Sequence, residues 1–253
     1  MEFEFYYYVI FVVTGFVAGF IDAIAGGGGI ITIPVLMASG MPPHVALATN
    51  KLQATFGSGM AAFNFIRKGF IKWSEVAKGV LYTFVGAALG TYAILLMDPN
   101  MLAKAIPVML VAIFIYTLLS PKMGESDRHA YLGQHLFFFI FGLAIGFYDG
   151  FLGPGTGTFW TIAMVGLLGL NLKKATAQTK VMNFTSNIVS LAVFLWSGNV
   201  LFAIGFLMGF GQVIGAYFGS NMVIKKEVKF IRLFFLTMVA LTLMKLIYSS
   251  YIA

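Results

Sequence analysis

Two acids stand inside otherwise apolar stretches, and each opens a glycine-rich break. Asp22 begins "DAIAGGGGIITIP", with Gly26, Gly27, Gly28 and Gly29 following; Asp149 begins "DGFLGPGTGTFW", with Gly153, Gly155 and Gly157 interleaved with Thr156 and Thr158. A chain that breaks at glycines and restarts as a helix exposes backbone N–H groups at the positive end of the helix dipole, an arrangement suited to a small oxyanion. The threonine hydroxyls add donors. The carboxylates are less welcome there. Each can cap its break by accepting N–H bonds, pair with a cation, or titrate as a proton carrier. Glycines in membrane helices commonly serve close packing, but two breaks of the same design favour a binding role.

Two lysines are the next candidates. Lys51 in "ALATNKLQ" and Lys180 in "ATAQTKVMN" each lie about seven residues into a helical stretch, on the order of 10 Å along it. A lysine at that depth must snorkel, pair or face water. Around them Thr49, Asn50, Gln53, Gln178, Thr179, Asn183 and Asn187 form polar faces that would let an anion bind and then leave.

The elements that carry these residues follow from composition. Of 253 residues, 60% are hydrophobic and only 10% charged, and the mean hydropathy is +0.92, whereas soluble domains carry about 25% charged residues. Runs such as "HLFFFIFGLAIGF" approach the roughly 20 residues needed to cross a bilayer. Continuous rather than alternating runs indicate helices, not a barrel, so the expected fold is an all-α polytopic membrane protein. Its setting is the cell (inner) membrane, with the lipid bilayer as a partner.

The net charge of +7 resides mostly in short loops, where topology and lipid headgroups account for it and no nucleic-acid partner is expected. The chain has no cysteine and three scattered histidines, which leaves no metal site, and no cofactor is expected. "AGGGGIIT" lacks the Lys-Ser/Thr of a phosphate loop, and neither break sits in a βαβ unit. His129 and His135 lie near the central loop, away from the polar cluster, so no catalytic constellation forms and an enzyme is not expected. His44, Glu75, Asp98 and Glu227 read as interfacial residues near helix ends. "MEFEFYYYVIF" has no basic n-region and reads as the start of a first membrane helix, with Tyr6, Tyr7 and Tyr8 at the interface.

The motifs recur. "GFIDAIAGGGG" aligns with "GFYDGFLGPGT" at an offset of 127, and "ALATNK" with "ATAQTK" at 129; Gly69, Gly86 and Gly90 then fall opposite Gly198, Gly215 and Gly219. This indicates an internal duplication: residues 1–121, a loop at 122–131, and residues 132–253. Each half reads as three long helices plus a glycine-broken helical hairpin, giving eight to ten membrane segments. In the first half they lie near 5–24, 30–39, 44–66, 74–97 and 100–120; in the second near 132–152, 157–169, 173–196, 200–223 and 229–251. Equivalent loops carry opposite charge signals. Arg67, Lys68 and Lys72 mark one loop of the first half, while the second half is basic at Lys173 and Lys174 and at Lys225, Lys226, Lys229 and Arg232. The positive-inside rule then predicts two inverted-topology repeats, a cytoplasmic loop at Lys122 and Arg128, and both termini outside. A parallel eight-helix arrangement ranks second.

The quoted motifs resemble the TauE/SafE family of membrane permeases across both halves, with "FYDGFLGPGTGTF" and its lysine-bearing helix the most specific part. The resemblance implies export of sulfite, an organosulfonate or a related sulfur-containing or organic anion, and supplies no catalytic residues. The combined expectation is a secondary transporter of a small anion, working by alternating access between inverted halves. The rivals are a passive anion channel and a non-transporting membrane partner in assembly or sensing. Coupling to a proton or another ion, and homo-oligomerisation, stay open.

Overall fold

The computed structural model describes residues 4–102, 104, 108 and 126–226. The expected segments near 100–120 and 229–251 lie largely or wholly outside the described residues. The rest is helical. The elements are α1 (Phe5–Ala25), α2 (Gly28–Ala38), α3 (Pro43–Arg67), α4 (Trp73–Leu95), α5 (Gln134–Phe151), α6 (Thr156–Leu167), α7 (Leu172–Ser197) and α8 (Phe202–Lys225). Among them α1, α4, α5 and α8 are long and apolar enough to cross a membrane. A wide turn over Phe138–Gly142 interrupts α5. By contrast α2 and α6, with 11 and 12 residues, rise only about 16–18 Å. That is little over half of a ~30 Å hydrocarbon core.

At 25 and 26 residues, α3 and α7 are also long enough. Their polar residues face inward: Thr49, Asn50, Lys51, Gln53 and Ser58 of α3 are buried, as are Gln178, Thr179, Lys180, Asn183, Ser186 and Asn187 of α7. The two helices pack on each other, with α8 against α3 and α4 against α7. Apolar side chains point the other way. Leu81, Phe84, Leu89 and Tyr92 on α4, with Phe206, Phe210 and Tyr217 on α8, are exposed at helical spacing, a surface suited to lipid tails. A polar interior inside an apolar shell is the distribution that a bilayer favours.

Close helix pairs build the shell. Gly15 and Gly19 of α1 lie against the α8 backbone, while Gly211, Gly215 and Gly219 of α8 lie against α1. Gly86 and Gly90 of α4 lie against the α5 backbone, while Gly142, Gly146 and Gly150 of α5 lie against α4. The four-residue spacing of these glycines lines one face of each helix and lets backbones touch. A Cβ at Gly19 would sit 2.5 Å from the Gln212 carbonyl oxygen, and one at Gly146 would sit 2.8 Å from that of Thr83. The contacts are reciprocal: α1 packs on α8 as α5 packs on α4, and α2 packs on α3 as α6 packs on α7.

Candidate functional site

The first break begins where α1 ends. The Gly26 N–H returns to the Asp22 carbonyl at 2.8 Å, and Gly27 adopts φ 118°, a conformation open to glycine at little cost. The chain thereby turns at once into α2. Its leading donors are not left free: Asp22 Oδ1 accepts the N–H groups of Gly27 at 3.0 Å and Gly28 at 3.2 Å. The carboxylate thus sits at the N-terminus of α2, where the helix dipole favours negative charge.

The second break differs. Under the 127-residue offset Pro154 stands where the first break has Gly27, and proline has no N–H to donate. Asp149 turns instead to α7, accepting the Ser186 hydroxyl on Oδ2 and the Lys51 ammonium on Oδ1, the latter at 2.7 Å. The residue matching Ser186 at an offset of 129 is Gly57, which packs against the Gln212 side chain. The same acid therefore caps one break and anchors to a neighbouring helix at the other.

Neither lysine snorkels. Lys51 is 2% and Lys180 0% exposed, and each reaches an acid far along the chain. Lys51 Nζ also donates to the Asp149 carbonyl at 2.5 Å and to Asn187 Oδ1 at 3.3 Å. Lys180 Nζ lies 3.2 Å from Asp22 Oδ2 and donates to the Asp22 carbonyl. Both ammonium groups therefore sit at the carbonyl end of a helix, α5 or α1, which favours cations. The pairs are not equivalent. The Asp149 side chain is 4% exposed and the Asp22 side chain 20%, with the longer contact at Asp22. Two cations and two anions leave the cluster neutral overall.

Between the breaks is a cavity of about 30 Å³, room for about two waters. It brings together Gly27, Gly28 and Gly29 of the first break and Gly153, Thr156 and Gly157 of the second. Asn50 and Lys51 of α3, Asn183 and Asn187 of α7, and both acids complete the expected part of its wall. Asn50 Oδ1 accepts from Thr32 at 2.5 Å and Gln53 at 2.7 Å, which leaves its amide nitrogen, near Gly29, as a donor. Asn183 Oδ1 is buried without a hydrogen-bond partner.

Other expected residues are placed elsewhere. Gly26 and Gly157 cross backbone to backbone, a Cβ on Gly26 falling 2.5 Å from the Gly157 Cα; Gly26 thus serves packing. Thr158 seals that crossing by donating to the Ala25 carbonyl at 3.1 Å. Gly155 caps α6 in a left-handed conformation. Thr49 accepts the Leu201 N–H at 3.1 Å, Gln178 donates to Glu75 at 3.0 Å, and Thr179 pairs with Thr161 at 3.3 Å. Gln53 stands behind Asn50, and Lys180 stands behind Asp22 with its Nζ beside Gly157 of the cavity wall.

Gln212 and Ala54 line the cavity without having been expected. Gln212 carried a readable signal, as a lone amide in the apolar run "FGQVIGA", where a polar side chain needs a partner. Ala54 carried none.

The model of the family described as Sulfite exporter TauE/SafE matches residues 11–246. A probable membrane transporter protein of Haemophilus influenzae is 46% identical, covering 93% of this chain and 92% of its own. The probable membrane transporter protein YfcA of Escherichia coli is 45% identical over 92% of this chain and 87% of its own. A protein of Arabidopsis thaliana, Sulfite exporter TauE/SafE family protein 6, is 28% identical over 43% of this chain and 26% of its own. No solved structure matches the chain.

Proposed function

This chain belongs to the sulfite exporter TauE/SafE family of membrane transporters, and from that premise we propose that it exports a small anion such as sulfite or an organosulfonate across the inner membrane by alternating access. The observation that carries the proposal is the buried cluster around the cavity: the N–H groups of Gly27 and Gly28, the Asn50 amide, and two lysines held ready by acids. Such donors match the several oxygen atoms of an oxyanion. They are assembled where two breaks meet, as in carriers built from interrupted helices.

The reciprocal helix contacts support two inverted repeats that rock against each other about the Gly26–Gly157 crossing. Both termini then face outward. The chain carries no phosphate-loop lysine motif, so the anion's own gradient, with or without a coupled ion, drives the cycle. The test is uptake of labelled sulfite, sulfate, sulfoacetate and acetate into proteoliposomes. Saturable uptake of a sulfur oxyanion above protein-free vesicles is expected. Equal uptake with and without protein for every anion overturns the reading, and steady current without saturation would make the protein a channel.

A further inference from the structure

We propose that Asp22 is a tethered stand-in for the transported anion: its carboxylate occupies the anion's place at the α2 N-terminus and leaves, taking up one proton, when the anion binds. The inference rests on the anion reading above and names how that site is gated.

The geometry is that of a bound oxyanion. One carboxylate oxygen accepts the Gly27 and Gly28 N–H groups, and the other faces the Lys180 ammonium. These are the strongest anion-binding groups on that side of the cavity, and the protein's own acid holds all three. An incoming anion can use them only by displacing it. Asp22 is also the less enclosed of the two acids. Its side chain is five times as exposed as that of Asp149, 20% against 4%, while Asp149 is fixed by Lys51 and Ser186 on a buried face.

Charge balance supplies the proton. Lys180 of α7 touches Asp22, and Lys51 of α3 and Asp149 of α5 face it across the cavity as an existing pair. The sequences of α2 and α6 contain no titratable residue, and α8 presents the neutral Gln212. The cluster is neutral before an anion enters. Adding a monoanion and freeing an ionised carboxylate would leave a buried negative charge without a partner, which protein interiors reject. If the displaced carboxylate binds a proton from the aqueous side, the loaded site is neutral again. A second observation agrees: Asn183 Oδ1, buried in the cavity wall, has no donor. A protonated carboxyl or a substrate hydroxyl would supply one, whereas a fully ionised occupant would not.

The experiment uses the full chain in detergent with methanesulfonate, whose charge does not change between acidic and neutral pH. Wild-type protein should take up about one proton per anion bound, read with a pH-indicator dye. Its affinity should rise about tenfold for each pH unit lowered while Asp22 is ionised. Asp22→Asn should bind methanesulfonate more tightly than wild type at neutral pH and lose that dependence. Binding without proton uptake, or an Asp22→Asn protein that retains the wild-type slope, overturns the inference alone. Should that variant not fold, the wild-type proton count decides by itself. Failure of both proteins to bind overturns the anion reading and the inference together.

Discussion

Lys51 Nζ lies 2.7 Å from Asp149 Oδ1, joining α3 to the end of α5 across 98 residues of chain. Both side chains are almost wholly buried, so each charge depends on the other. Removing one partner of such a pair costs about 3–5 kcal/mol. Lys51→Met should therefore lower the unfolding midpoint strongly in detergent, and Lys51→Met with Asp149→Leu should recover part of the loss. A double-mutant cycle with no coupling would show that the contact does not stabilise the fold.

Lys180→Gln should behave differently. Its acid is partly exposed and already engaged by two N–H groups, so losing the ammonium strands less charge. The expected result is at least about a tenfold loss of anion affinity, the value of one charge-assisted hydrogen bond. The fall in thermal stability should be smaller than for Lys51→Met. Unchanged affinity would reduce Lys180 to a structural counter-ion.

The glycine seams give a packing prediction. Gly19→Ala and Gly146→Ala each place a methyl against a neighbouring carbonyl and should destabilise by about 1–3 kcal/mol. Gly166→Ala is the control: open space surrounds that position, and its cost should be near zero or slightly favourable through helix propensity. Equal melting of all three would remove the seam as a determinant of stability.

Outside the membrane segments, Asp127 takes the Lys174 ammonium at 2.5 Å and the Asn171 N–H at 2.7 Å. These bonds, the Lys174 one foremost, hold its carboxyl below the ordinary carboxylate value. A depressed folded value means the stabilisation is present above the unfolded value of about 4. It is lost as pH falls from there through the folded value. Both side chains are nearly half exposed, so the effect should be small and screened by salt. Comparing wild type with Asp127→Asn in melting against pH should show slightly lower stability for the variant at neutral pH, converging in acid. Parallel curves would exclude the linkage.

The proposed inverted arrangement implies an outward-facing C-terminus. A reporter fused after Ala253 should register the outer side of the membrane. A cytoplasmic signal would remove the odd-crossing, inverted architecture.

Helix positions were legible in the sequence because they depend on local pattern. The apolar run through Phe5–Ala25 and the glycine break after it follow from composition over short windows, and the restart, expected near residue 30, comes at Gly28. Lys51 and Lys180 could be marked as costly at their depth for the same reason. The partner of each could not. Asp22 was open to capping, pairing or titrating, and in the folded chain it both caps Gly27 and Gly28 and pairs with Lys180. Asp149, in a matching motif, leaves its break uncapped. Gln178 and Thr179 looked like site residues by proximity to Lys180, but a helix turns about 100° per residue and directs them to Glu75 and Thr161.

The sequence by itself therefore determined an all-helical membrane chain with two glycine breaks, two deep lysines and two deep acids, since run length, backbone freedom and the cost of charge in lipid are local properties. Tertiary structure alone decided that Lys51 meets Asp149 and Lys180 meets Asp22, 98 and 158 residues apart. Such pairings depend on how α1, α3, α5 and α7 pack together, and packing is set by many weak contacts summed over the whole molecule rather than by any stretch of sequence.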